Sequence, residues 1–406
     1  MSGREIVLVL CTGGGDLLGV LAPFEVADSG WNRTLDVVRG ARARFGVDVV
    51  VLRLLRAAGG WGKHDGGTVT YLAELTGDLP AGVSTSPYDG DDPLTDHPLR
   101  LPYARPGGPA ADIRWAAEAL AERGIKLTGP PEQLRTWNLS SIWTLPTTIG
   151  RVWLKANPPF LAQEATILPL LDPAVVPTVL AAEAGGRVLL AELPGEDQWE
   201  ARGAPLAEMV GVLVRLQHEW CGRVPELLTA GLPDYREPVL VPAVQNVVRR
   251  HAEQLTEVER GVLDGLVADL PARFEALTEC ELPDTLVHGD FHVGNVRGEP
   301  GAFRILDWSG CGVGHPMLDR YAFIDDHPPG NASIIDEAFR HHWLQAVPSA
   351  DFARVADLCK PIGVLQAAVV YQTFLDAIEP DERVYHAGDP VAVLKFAAEE
   401  SSSRSE

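Results

Sequence analysis

Apolar positions recur along this chain with two periods, and the change of period separates a strand-rich first part from a helix-rich second part. Residues 6–10 and 17–21 are short apolar runs joined by Thr12-Gly-Gly-Gly-Asp16, the composition of a hairpin turn. In residues 34–45, Leu35, Val38, Ala41 and Phe45 return at nearly helical intervals, and Gly46 stands where the helix would stop. Residues 47–55 and 68–75 again read as strands. No Gly-Lys-Ser/Thr follows the triple glycine, so it reads as a turn rather than a phosphate loop. Residues 80–108 turn to Pro, Gly, Asp, Ser and Thr, with Leu99, Leu101 and Tyr103 as apolar anchors, which predicts an ordered strap. A helix over 110–123 follows, with Ile113, Ala116, Ala117 and Leu120 on one face.

Beyond it, residues 135–138, 141–145 and 151–156 form strand-like runs, with a turn at 146–150. A helix is expected over 160–171, then strands over 175–180 and 187–193. The pattern then becomes helical: 205–220, 241–254, 256–277, 333–343, 350–378 with an interruption at Pro361, and 391–398. The division expected is 1–78, a small α/β module; 79–130, strap and helix; 131–194, a β-rich lobe; 195–398, a helical lobe; and 399–406, a disordered polar tail.

A chain of 406 residues suits two or three domains. No run approaches the ~20 apolar residues of a membrane span, and no basic leader precedes residue 6, so a cytoplasmic protein is expected. Five scattered cysteines without CxxC spacing argue against a disulfide framework or zinc site. A balance of 34 basic to 56 acidic residues, net −22, opposes binding to nucleic acid or an anionic membrane and suits a cationic small molecule.

The candidate chemistry lies in Leu286-Val-His-Gly-Asp290 through Asp319. Asn295 follows Asp290 by five positions, and a second apolar run delivers Asp307 and Trp308. Asp and Asn at that spacing also suit an ordinary turn. His288, Gly289, the short strand and Asp307-Trp308 together point instead to phosphoryl transfer. That reaction leaves little covalent work for a protein: hard oxygen ligands hold magnesium against the phosphates, and one carboxylate orients the attacking hydroxyl.

HGDFHVGN, ILDW and GVGHPMLD resemble the aminoglycoside phosphotransferase and choline kinase-like family over residues 130–395. The resemblance implies an α+β, protein-kinase-like two-lobed fold that uses ATP, or GTP in its place, with Mg²⁺. It implies Asp290 as catalytic residue, Asn295 and Asp307 as metal ligands, and His288 and Asp319 as structural supports. Lys155, ending the strand RVWLK, would hold the nucleotide phosphates and be paired by Glu164. Ser140 and Ser141 stand where a phosphate-covering loop is expected, although that loop has no glycine. Backbone groups at Glu192 and Leu193 would face the purine. His218 is expected to pack, and Asp325, Asp326 and Glu337 are read as solvated surface or charge facing the acceptor. The implied partner is a cationic hydroxyl compound: an aminoglycoside, amino sugar or amino alcohol. A pseudokinase that senses a ligand is the alternative. Residues 1–78 resemble a Nudix domain whose paired glutamates are replaced near Ala43 and Arg44, which would leave a module without hydrolytic activity.

Overall fold

The computed structural model describes residues 3–59, 64–325 and 329–402. The chain divides into two compact units: Met1–Ala165 with Val179–Glu192 and Ala377–Ala387, and Thr166–Thr178 with Leu193–Asp376 and Gly388–Glu406. The first is rich in strands and the second in helices, so the α+β class expected from the sequence is the one adopted.

The first unit holds two five-stranded sheets. Arg4–Thr12 pairs antiparallel with Leu17–Val20 and Phe24–Val26, and parallel with Thr68–Leu75, whose other neighbour is the antiparallel strand Val49–Ala58. The helix Leu35–Phe45, closed by Gly46, packs Val37 and Ala41 against Ile6, Leu8, Leu10 and Tyr71 on one face. Val9, Cys11, Leu52 and Leu72 form the other face, covered by Tyr88 and Leu94 of the strap. The strap is therefore the second wall of a sheet that must bury both faces.

The second sheet runs Glu132–Trp137, Ser140–Thr147, Gly150–Ala156, Arg187–Ala191, Val179–Ala182, antiparallel throughout. Its core of Trp143, Leu145, Val152, Leu154 and Leu189 meets Ala116 and Leu120 of the helix Gly108–Glu122. Gln133 ties the two sheets together. Its side chain accepts from Val51 N–H at 2.9 Å and donates to Val51 C=O at 2.7 Å, so the amide satisfies an edge strand as a backbone would.

The expected helix over 160–171 is broken into short turns, Pro159–Leu161, Gln163–Ile167 and Leu168–Leu170. Pro169 has no N–H to continue an α-helical ladder. A second correction concerns Pro361, which does not interrupt its helix: Phe352–Ala377 is continuous, burying Val355, Cys359, Ile362, Leu365 and Ala368 along its length. Packing on both sides of the proline outweighs the lost hydrogen bond. By length and mean hydropathy, 1.2 in its most apolar window, this helix meets the measure of a membrane span, and 39% of that window is buried within the protein. Residues 399–402, expected in the tail, belong to the last helix, Asp389–Ser402, and 403–406 lie outside the described residues.

In the second unit Thr285–Val287 pairs antiparallel with Gly312–Gly314, and Val296–Gly298 lies between Glu196–Asp197 and Arg304–Ile305. The helices Ala204–Trp220 and Pro329–Ala346 pack together, as do Glu237–His251 with Glu257–Glu279. The latter begins with a capping box between Thr256 and Glu259. These short strands present the loops that carry the polar residues.

Candidate active site

In the strand Gly150–Ala156, Val152 and Leu154 point into the core, which turns Trp153 and Lys155 to the opposite face. Lys155 Nζ lies 2.7 Å from Glu164 Oε2, their side chains 9% and 1% exposed. Asn157 Nδ2 donates to the same oxygen at 2.9 Å. Removing two charges from water is expensive, and such a pair adds little net stability.

The two serines are placed differently from the sequence expectation. Asn138 and Leu139 form a two-residue turn, after which Ser140 and Ser141 lie within a strand, both buried. Their hydroxyls accept from the indole N–H groups of Trp137, at 3.2 Å, and Trp143, at 3.0 Å. Strand alternation sends the two hydroxyls to opposite faces, and a tryptophan indole on each face holds its serine oxygen within the protein. Asn138 is itself fully buried, its Nδ2 3.3 Å from the Glu382 carbonyl.

Glu192 is exposed, and its carboxylate accepts from Trp153 Nε1 at 2.5 Å. The Leu193 carbonyl accepts from Arg297 Nε at 3.1 Å, which occupies one of its lone pairs. The same guanidinium pairs with Asp197.

The loop after Thr285–Val287 turns sharply at Gly289, φ 80°, where a Cβ would stand 2.2 Å from the Gly310 carbonyl oxygen, so only glycine fits. His288 is fully buried. Its Nδ1 accepts from Asp290 N–H at 3.3 Å and its Nε2 donates to Leu306 C=O at 2.8 Å. A carbonyl can only accept, so these partners assign the neutral Nε2–H tautomer. The ring meets Trp308 edge-on, centroids 4.6 Å apart. These are the contacts of a support, with no ring nitrogen left for substrate.

Asp319 supports the loop from the helix Met317–Asp325. Its carboxylate accepts from the N–H groups of His288 and Gly289, both at 2.8 Å, and from Gln217 Nε2 at 2.9 Å. Burial raises its pKa above the ordinary carboxylate value, while His288 and the three donors oppose that rise. Gln217, not the expected His218, is the buried polar residue of the helix Ala204–Trp220; His218 is exposed. A period of 3.6 puts adjacent residues on different faces, and only packing decides which faces inward.

Asn295 Nδ2 donates to the Asp290 carbonyl at 2.8 Å and to Asp290 Oδ2 at 3.1 Å. The Leu306 peptide is held on both sides, its N–H by Asn295 C=O at 2.7 Å and its C=O by His288. Asp307, the next residue, is thereby fastened beside the loop of Asp290 and Asn295. It adopts φ 56°, a left-handed conformation that Asp tolerates better than most residues, and its Oδ1 accepts from Ser309 Oγ at 2.6 Å. Asp290 is 63% exposed at its side chain. The Leu306 peptide thus sets the backbone of Asp307 beside the Asp290–Asn295 loop.

Among the described residues no group of three or more His, Cys, Asp or Glu is arranged to hold a metal ion. Asn295 and Asp307 supply two hard oxygens, which fits magnesium, a cation that takes one or two protein ligands and completes its shell with phosphate and water. Glu337 is exposed and clasped by Arg340, at 2.7 and 2.8 Å, so it presents a solvated ion pair. Asp326 lies outside the described residues, as does the side chain of Asp325.

Residues 141–358 match the model of a phosphotransferase enzyme family. Similar solved structures include a macrolide 2'-phosphotransferase from Brachybacterium faecium, 17% identical over 66% of this chain and 98% of that one, TM-score 0.47. A choline/ethanolamine kinase family protein from Mesorhizobium loti is 17% identical over 72% of this chain and 96% of that one, TM-score 0.48. The GDP complex of an aminoglycoside 2'-phosphotransferase is 13% identical over 71% and 99%, TM-score 0.49. No curated protein matches the sequence.

Proposed function

The chain belongs to the phosphotransferase enzyme family, and on that premise we propose that it transfers the γ-phosphate of ATP, or of GTP in its place, to a hydroxyl of a small amine-bearing acceptor. The observation that carries this reading is the Leu306 peptide, bonded to both Asn295 and His288, which fastens Asp307 to the Asp290–Asn295 loop. Asp290 orients the acceptor hydroxyl; as its oxygen bonds to the γ-phosphorus, the bond to the departing nucleoside diphosphate breaks and the proton passes to the Asp290 carboxylate. Magnesium held by Asn295 and Asp307 would neutralise charge on the phosphates. Lys155, fixed by Glu164 and Asn157, binds phosphate oxygens, and backbone groups of Glu192 and Leu193 face the purine.

The acceptor class rests on the net charge of −22 and on the residues that resemble aminoglycoside and choline kinases. The location is cytoplasmic. Residues 1–78 are a Nudix-like module that serves as a scaffold, within a first compact unit that also takes in residues 377–387. The test is ATP and GTP consumption with magnesium across aminoglycosides, amino sugars, amino alcohols and simple sugars, beside Asp290→Asn. Acceptor-stimulated turnover is expected, reduced at least about a hundredfold in the variant. Turnover unchanged by Asp290→Asn would overturn the reading, and turnover of neutral or anionic acceptors alone would overturn its cationic part.

A further inference from the structure

The catalytic loop contains a second histidine whose contacts repeat those of the first. His292 Nδ1 accepts from Gly294 N–H at 3.1 Å, the same bond to the second residue onward that His288 Nδ1 accepts from Asp290 N–H. An Nδ1 that accepts leaves the proton on Nε2. In His288 that Nε2–H reaches Leu306; in His292, Nε2 stands 3.7 Å from Asp290 Oδ2. His292 also caps the short turn Val293–Asn295, so one ring touches both the aspartate and the turn that presents Asn295.

The ring of Trp199, 60% exposed, stands against His292, centroids 5.8 Å apart. It also lies over Gly294, where a Cβ would come within 2.2 Å of the indole. The absence of a side chain at position 294 is what lets the indole close on the loop. An exposed tryptophan seated on a glycine beside a histidine confines the imidazole to one side.

We propose that His292, held by the Gly294 amide and by Trp199, is a positioning residue that fixes the Asp290 carboxylate for attack by the acceptor hydroxyl. The inference rests on the kinase reading above. Asn295 Nδ2 and His292 Nε2 both address Oδ2, which leaves Oδ1 as the oxygen that receives the acceptor proton. His292 does not take that proton, because its Nε2 already carries one. Its contribution is orientation, which a loose phosphoryl-transfer transition state needs more than it needs a strong base.

The test is His292→Asn. Asparagine still caps the Gly294 amide through its side-chain oxygen but is too short to approach Asp290 Oδ2. With the acceptor found by the substrate panel, kcat is expected to fall about tenfold. Both KM values should stay within about twofold and the thermal midpoint should not change. An unchanged kcat, a rise in KM at constant kcat, or a loss that follows a lowered thermal midpoint would each overturn the inference while Asp290→Asn stays inactive and the kinase reading stands. Absence of turnover in the wild type with every acceptor would overturn the kinase reading itself, and this inference with it.

Discussion

Replacing Asp319 by alanine should uncouple the His288–Asp290 loop from its support. The carboxylate satisfies three donors at 2.8, 2.8 and 2.9 Å: the N–H groups of His288 and Gly289 and the Gln217 amide; His288 and Gln217 are buried and Gly289 is exposed. Alanine removes the acceptor from all three; water can serve the exposed Gly289 amide, and each of the two buried donors left orphaned costs about 1–3 kcal/mol. Two effects reduce the sum. The buried carboxylate carries its own desolvation penalty, visible in its raised pKa, and the vacated volume admits water. A net loss of about 3–4 kcal/mol is expected. Asp319→Asn should lose less, about 1–2 kcal/mol, because it removes the buried charge but turns an NH₂ group toward one of the donors. Urea unfolding followed by tryptophan fluorescence measures the stability change. Acceptor phosphorylation should fall with it, since Gly289 and Asp290 hang from the same hydrogen bonds. A loss below about 1 kcal/mol in Asp319→Ala would refute the reasoning, because the two buried donors would then have found other partners.

Two further outcomes follow from buried charges in the first unit. Glu164→Gln leaves the Lys155 ammonium without its carboxylate partner and should raise the KM for nucleotide about tenfold with little change at saturation; unaltered nucleotide affinity by calorimetry would contradict it. Burial, followed by the nearby Glu379 charge, pushes the Glu382 carboxyl up to about 8 from an ordinary 4.5. Below 4.5 the group is neutral in both folded and unfolded chains. As pH rises from there, the unfolded chain releases the proton first, so stability is lost progressively up to about 8. The thermal midpoint should therefore drop more between pH 5 and pH 8 in wild type than in Glu382→Gln; equal drops would refute it.

Spacing alone carried many of the longer helices and strands, though not the break of the expected helix over 160–171, and it drew out the polar set of residues 286–319, because hydrophobic period and turn composition report hydrogen bonds made within a few residues. His288, Asp290, Asn295 and Asp307 lie within twenty residues of one another, so the short strands between them leave few ways to arrange them. Lys155 and Glu164 lie nine apart and meet across a single turn. What depended on the tertiary structure was every contact between distant segments. Gln217 is 102 residues from Asp319, and Asn138 is 244 from Glu382, with no periodicity to link them. The inward turn of the Ser140 and Ser141 hydroxyls depended on which tryptophans lay beside them. The incorporation of residues 377–387 into the first unit, with Arg100 hydrogen-bonded to Glu379 and Arg53 ion-paired with it at 3.6 Å, was likewise invisible in the sequence. The amino-acid sequence by itself determined which chemistry the loop can offer; the packing of remote side chains decided which polar groups are buried, paired or left to meet a substrate, because desolvation and hydrogen-bond partners exist only once the chain has closed on itself.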